Sequence, residues 1–513
     1  MSEPRDVLDR LAPLFPAPDH ALERCLRLRD RRRRNRRIGA ATLALVITAV
    51  MIASFVVSFR GSQRQPVTDP RPINPSNVHT LRLAWSGKTS PDPWDRRGVG
   101  GSEGMTVSDG MLYAVSTGDG KLWAFPTDCG SDGAPCRPKW SGAFDVRPGR
   151  CDPNRCIGDM PSGPAVEDGM VFVGGLNHVY AFPVSCRRSP CPPAWVGRTR
   201  EISNQPVAAD GVVYAGSLDG FLYAFPTRCE HRCEPLWTSA RQTNPLEVSQ
   251  VDDGTVYVGT NGVYFGGEDL GTAYGFPVDC KDGCEPRWTA PMPDSIFATP
   301  PVAADGVVYV ARSTANRQRN WDFYQPSIVS AYDASCGLEA GCALWSASMP
   351  GFVSRSPIVA EGVLVVMSRR AGLIRAYPTS CDGTCEPLWS AAVPAGPDRA
   401  FDPPLVVADG LVLVGSRSSG VSAFSLHCGT DGATCEPSWT SDQPAYEVAV
   451  AEGKVFARSD DGTLYAFSPD EGPATVGESG GISGSGSDGR ALVFVSIVLG
   501  GIVLIVGARW RRS

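Results

Sequence analysis

The stretch from Pro206 to Trp237 reads PVAADGVVYAGSLDGFLYAFPTRCEHRCEPLW. It contains four short apolar or alternating runs separated by turn signals. Asp210-Gly211 and Asp219-Gly220 fall between runs, where a hairpin turn needs residues that tolerate positive φ. A cysteine-bounded turn separates the third run from the fourth, which ends in Trp237. The stretch reads as four antiparallel strands.

The same unit recurs along the middle of the chain. Its Asp/Glu-Gly turn returns at Gly110, Gly169, Gly211, Gly254, Gly306, Gly362, Gly410 and Gly453, at intervals of 42 to 59 residues. The closing tryptophan returns at Trp140, Trp195, Trp237, Trp288, Trp345, Trp389 and Trp439. The eighth unit stops at Tyr465-Ala466-Phe467, with no cysteine pair and no tryptophan. A matching strand stands at the other end, as Leu81-Arg82-Leu83-Ala84-Trp85. Four strands per unit at this period predict propeller blades. A first strand that completes the last blade predicts ring closure, which hides sheet edges. The expectation is an all-β, eight-bladed β-propeller over residues 79–469, with the repeat tryptophans in the core between blades.

Composition agrees. At 513 residues, 42% hydrophobic and 20% charged, the chain is too long for one ordinary core and too apolar for disorder. Its 56 Gly and 44 Pro, without a three-residue period, suit a turn-rich β protein.

Charge is concentrated at the ends. Residues 1–37 hold eleven Arg against six acids, and three more Arg follow Gly507. The net charge of −6 therefore leaves the middle at −14, which argues against nucleic acid as its ligand. Ile38 to Phe59 is 22 residues without a charge, preceded by Arg31, Arg32, Arg33, Arg34, Arg36 and Arg37. It reads as a transmembrane helix with the N-terminus cytoplasmic. A cleaved signal peptide fits less well, because the run is too long and no small-residue cleavage site follows it. Residues 491–508 form a second apolar run ahead of Arg509, Trp510, Arg511 and Arg512. That reads as a second span with a basic cytoplasmic tail at 509–513. It also has the layout of a cell-wall sorting signal, but without the Leu-Pro-x-Thr-Gly pentapeptide. Between the spans, 60–78 is a Pro-rich spacer and 470–490 a Gly/Ser-rich tether. The expected location is the cell membrane, with both termini cytoplasmic and the propeller outside.

The unit from Tyr223-Ala224-Phe225-Pro226 through Trp237 resembles the repeat of the pyrroloquinoline-quinone-like propellers. That family includes the outer-membrane assembly propeller lipoproteins, which are not enzymes. The resemblance covers all eight units, roughly residues 79–469. This chain departs from the repeat at its turn, where a cysteine pair replaces Thr-Gly. Only Ala331-Tyr332-Asp333 keeps the acidic residue after the aromatic.

Of the 17 cysteines, Cys25 lies on the expected cytoplasmic side. The rest fall into local pairs: Cys129/Cys136, Cys151/Cys156, Cys186/Cys191, Cys229/Cys233, Cys280/Cys284, Cys336/Cys342, Cys381/Cys385 and Cys428/Cys435. Evenness, locality and an outside location predict structural disulfides. Zinc needs four ligands within reach, and each pair offers two.

Propeller topology puts the A–B and C–D turns on one face, and the B–C and D–A loops on the other. The repeated cysteine turns belong to the first face. The long insertions Ser86–Gly104, Ser141–Gly163, Gly259–Thr272, Arg312–Ser327 and Ala391–Pro403 belong to the second. They carry Trp94, Arg96, Arg97, Arg147, Arg150, Arg155, Arg317, Arg319, Trp321, Phe323 and Tyr324. Long loops on a rigid scaffold, rich in Trp and Arg, mark a candidate binding face; packing of those side chains onto the rim is the alternative.

Enzyme chemistry has little support. Quinone-dependent dehydrogenases of this fold are expected to carry adjacent cysteines, and no Cys-Cys occurs here. The five histidines are scattered, and there is no nucleophile elbow, His-Glu zinc motif or phosphate-binding glycine loop. No cofactor, metal or nucleic acid is expected. The expected function is a non-catalytic binding protein or scaffold for a protein or envelope component. A receptor coupled to a cytoplasmic partner is the alternative, and a quinone oxidoreductase a weaker one.

Overall fold

The computed structural model describes residues 72–89, 104–116, 119–145, 150–152, 155–157, 163–200, 205–260, 271–292, 297–313, 326–335, 343–353, 355–368, 372–393, 405–417, 419–445, 447–459, 461–470, 493–499 and 502–508. The eight repeats form eight four-stranded antiparallel blades, seven of them running A to D in chain order from the inner strand outward. Blade 1 comprises Met105–Ser108, Met111–Ser116, Lys121–Pro126 and Trp140–Ala143. Blade 7 comprises Leu405–Ala408, Leu411–Ser416, Gly420–Ser425 and Trp439–Thr440. Blade 8 takes Glu447–Ala451, Lys454–Arg458 and Thr463–Pro469 from the end of the repeat region. Its outer strand is Leu81–Lys88, paired antiparallel to Thr463–Pro469 from Leu81↔Pro469 to Lys88↔Thr463. The ring closes as the sequence predicted.

Each A–B connection is a two-residue turn with both residues at positive φ. Asp109 and Gly110 lie at 51° and 72°, and Glu452 and Gly453 at 52° and 66°. This is the turn whose twist matches antiparallel strands. The glycine adopts it without steric cost, and Asp tolerates it better than a β-branched residue would.

The residue after each C strand is a fastening point. The amides of Thr127, Thr227, Thr379 and Leu426 donate to the carbonyls of Gly110, Gly211, Gly362 and Gly410 in their own blades. Their carbonyls in turn accept the indole N–H of the preceding blade's tryptophan. Trp85 donates to Thr127, Trp195 to Thr227, Trp345 to Thr379 and Trp389 to Leu426, at 2.8–3.1 Å. A buried hydrogen bond of this kind adds about 1 kcal/mol beyond burial of the ring. The tryptophans are core, and seven of the eight are no more than 5% exposed.

The cysteine turns do more than tighten a loop. Six disulfides are formed among the described residues: Cys129–Cys136, Cys186–Cys191, Cys229–Cys233, Cys280–Cys284, Cys381–Cys385 and Cys428–Cys435. Each turn also reaches back to the outer strand of the blade before it. Ala134–Cys136 pairs parallel with the Leu81–Lys88 strand, and His231–Cys233 with Trp195–Arg198. Gly383–Thr384 and Ala433–Thr434 do the same for blades 5 and 6. Cys191 and Cys284 make single parallel bridges to Gly142 and Ser239. The braced turn is therefore a short fifth strand that covers a neighbour's edge.

Cys151 and Cys156 lie opposite each other in a separate hairpin, Arg150–Asp152 with Arg155–Ile157. Cys336 and Cys342 lie outside the described residues.

Two boundaries differ from expectation. Ile73 and Val78 are fully buried in the cluster shared by blades 7 and 8, so the propeller begins within the segment assigned to the spacer. Residues 491–508 were expected as a helix. Instead Val493–Leu499 and Ile502–Ala508 form an antiparallel hairpin about Gly500-Gly501. Val493, Val495, Ile497, Val498, Ile502, Val503, Ile505 and Val506 are β-branched, and Gly-Gly suits a two-residue turn. No helix among the described residues is long and apolar enough to cross a membrane. The segments 1–37 and 38–59 lie outside the described residues.

Candidate functional site

The two faces of the ring differ chemically. On the face of the A–B and cysteine turns, one acid per blade stands at the first position of the A–B turn: Asp109, Asp168, Asp210, Asp253, Asp305, Glu361, Asp409 and Glu452. Several of them join blades. The Glu452 carboxylate accepts from the Gly110 amide at 2.8 Å and the Thr127 hydroxyl at 2.6 Å. Asp168 accepts from the Thr227 hydroxyl at 2.7 Å, and Glu361 lies 3.0 Å from His427. Burial first, and then the charges of Asp210 and Glu167, push the Tyr214 hydroxyl up to about 12. This turn face is built for cohesion.

The opposite, loop face starts where the B strands end. A buried hydroxyl stands there in seven blades: Ser116, Ser217, Thr260, Ser313, Ser368, Ser416 and Ser459. In blades 1, 3 and 8 it bonds a carboxylate in the B–C turn, as in Ser116 with Asp119, Ser217 with Asp219 and Ser459 with Asp461. A cation sits outside each: Lys121 on Asp119 at 2.7 Å, Arg200 on Asp219 at 3.3 Å and Lys88 on Asp461 at 3.1 Å. Burial alone would raise the Asp461 carboxyl, but hydrogen bonds from Ser459, Thr463 and Lys88 outweigh it and hold the group well below the usual carboxylate range.

Arginines add to this face in blades 5, 7 and 8. Arg312 precedes Ser313, Arg417 follows Ser416, and Arg458 precedes Ser459. Arg458 is fully buried, 3.6 Å from Glu447, and donates to the carbonyl of Val115 in blade 1 at 2.6 Å. It ties the last blade to the first. Blades 1 to 4 have no arginine at these positions. The signal was present in the sequence as Ala311-Arg312-Ser313, Ser368-Arg369-Arg370, Ser416-Arg417 and Arg458-Ser459. Loop length alone does not reveal it, because these arginines lie at strand ends.

The expected binding residues Trp94, Arg96, Arg97, Arg147, Arg317, Arg319, Trp321 and Tyr324 lie outside the described residues. Arg150 and Arg155 are strand residues of the short hairpin between blades 1 and 2. The chain positions that bracket these insertions are described. Thr89 and Gly104 join blade 8 to blade 1, and Ser313 and Ser327 bracket the blade 5 insertion with their hydroxyls 2.7 Å apart. Both brackets belong to the loop face by strand order. Among the described residues no group of three or more His, Cys, Asp or Glu could hold a metal ion.

The fold and both faces define the class: a closed eight-bladed β-propeller with a cohesive, acidic turn face and a loop face that carries arginines beside the B strands of blades 5, 7 and 8. No family model matches the sequence, and no curated protein does. Solved structures do match. The computationally designed Ika8 protein superposes with a TM-score of 0.52 at 10% identity, covering 75% of this chain and 100% of that one. BamB from Moraxella catarrhalis superposes at 0.50 and 12% identity, covering 76% and 98%. At such identities the likeness is one of fold. The resemblance to quinone-type repeats is thus met by shared architecture with BamB, without a match between sequences.

Proposed function

We propose that the protein is a membrane-anchored, extracytoplasmic, non-catalytic scaffold whose loop face binds another protein or an envelope component. The observation that carries this reading is the division of labour between the faces. The turn face spends its polar groups on joining blades, while the loop face carries the brackets of the long insertions and, beside the B-strand ends, Arg312 and Arg417; Arg458 there is buried and itself joins blade 8 to blade 1.

The exits of the chain support an orientation. Asp470 leaves the ring where blade 8 lacks its cysteine turn, its amide donating to Thr80 at 3.0 Å, while the lead-in from residue 72 meets the ring beside the A–B turn of blade 7, where Pro75 lies over Gly410. Both places belong to the turn face. Two tethers leaving there hold the turn face toward the membrane and the loop face away from it. Ile38 to Phe59 spans as a helix.

The test is affinity capture from solubilised membranes with the full-length chain, alongside a Trp94→Ala/Trp321→Ala/Tyr324→Ala variant. Capture of one partner by the wild type, lost at least tenfold in a normally folded variant, supports the reading. Equal capture by both moves recognition off this face.

A further inference from the structure

Blade 7 differs from its neighbours at its outer edge. In blades 1, 2, 3, 5, 6 and 8 the D strand carries a short parallel partner from the next blade's cysteine turn. Blade 8 has no such turn to give, since its C and D strands come from opposite ends of the repeat region. Among the described residues, Trp439–Thr440 pairs only inward, with Ser422 and Ala423. Its tryptophan shows the consequence. Trp439 is half-buried, whereas its seven counterparts are at most 5% exposed. The lead-in from residue 72 does not fill the place, for Pro75 lies over Gly410 at the A–B turn of blade 7.

We propose that the segment Ala474-Thr475-Val476 of this same chain docks on that edge as a parallel strand. Two features name the occupant. Its residue types repeat those of blade 7's own turn strand, Ala433-Thr434-Cys435, with valine in place of the cysteine. Its position is also right. In the turns of blades 1, 2, 3, 4, 6 and 7 the second cysteine follows the aromatic of the C strand by 8 to 11 residues: Phe125 to Cys136, Phe182 to Cys191, Phe225 to Cys233, Phe276 to Cys284, Tyr377 to Cys385 and Phe424 to Cys435. Val476 follows Phe467 by 9. Five of those six second cysteines are buried, with Cys136, Cys191, Cys233, Cys385 and Cys435 at 1–6% exposed and Cys284 partly buried, so the place takes a small apolar side chain. Valine supplies one without a disulfide. The eighth repeat is then complete, its turn strand held by pairing and packing alone. A second copy fits less well, because two such edges related by a two-fold axis pair antiparallel, not parallel.

Hydrogen–deuterium exchange on the full-length chain in detergent tests this. Segments spanning 438–441 and 472–478 are expected to exchange slowly together in the wild type. Both speed up at least tenfold in Val476→Asp, while 236–240 of blade 3 stays unchanged. Adding a synthetic peptide of residues 472–478 to the variant restores protection of 438–441. Unprotected 472–478 in the wild type overturns the proposal. So does protection of 438–441 that survives Val476→Asp, which would assign the edge to a second copy or another protein.

Discussion

The indole nitrogen of Trp85 donates to the carbonyl of Thr127 across 3.0 Å, from the first strand of the ring to the first complete blade. Trp85 belongs to blade 8 and Thr127 to blade 1, so this bond spans the seam where the circle closes. It repeats the bond made between other neighbouring blades, which makes the seam chemically equivalent to an ordinary joint. Trp85→Phe removes the donor and part of the ring, and is expected to cost about 1–3 kcal/mol. A denaturant midpoint equal to wild type would show that the seam does not depend on it.

Arg458 and Glu447 are both buried at that seam, at 0% and 3% exposure. Removing one charge strands the other. Arg458→Met is expected to lose about 3–5 kcal/mol, and Arg458→Met/Glu447→Leu to recover much of it. Urea unfolding of the two variants checks the order. A double variant no more stable than the single would contradict it.

Gly169 sits at φ 74° with nothing within 4 Å of an added Cβ. Gly169→Ala therefore reports backbone strain free of steric clash, expected at about 1 kcal/mol. Thermal unfolding measures it, and a neutral result would mean that the turn relaxes.

The Tyr214 hydroxyl is raised to about 12 by burial and nearby carboxylates. The folded state holds its proton more tightly than the unfolded state, where the group titrates near 10. Its contribution is full below about pH 10 and is lost as pH rises from there through 12. Stability should fall over that window, and Tyr214→Phe should flatten the fall. An unchanged slope would assign the fall to other groups.

Each cysteine turn closes a short loop and covers a neighbouring edge. Cys229→Ala/Cys233→Ala is expected to cost about 2 kcal/mol through the loop and more through the uncovered blade 2 strand. Concentration-dependent light scattering of that variant should rise above wild type. No change in either would confine the bridge to a local role.

What was legible in the sequence was whatever repeats. The Asp-Gly turns, the tryptophans and the missing eighth strand gave blade number and closure, because each marks one fixed place in a four-stranded unit. The back-pairing of Ala134–Cys136 or His231–Cys233 was not legible, since it joins residues of different repeats and depends on how blades are set side by side. The buried pair Arg458 and Glu447 was hidden for the same reason: each residue alone looks like a surface charge. The helix expected over 491–508 rested on hydropathy, and its β-branched composition with a central Gly-Gly pair pulled the other way. The candidate face was chosen by loop length, which locates a face but does not see the arginines at the strand ends.

The most direct measurement is site-specific photo-cross-linking in native membranes. A photoreactive residue is placed at exposed positions of the loop face (Lys88, Arg198 and Arg200) and of the turn face (Asp132, Glu230 and Asp431). Covalent adducts to one partner from the loop-face positions alone are the predicted result. Adducts formed chiefly from the turn face would contradict the assignment of recognition to the loops.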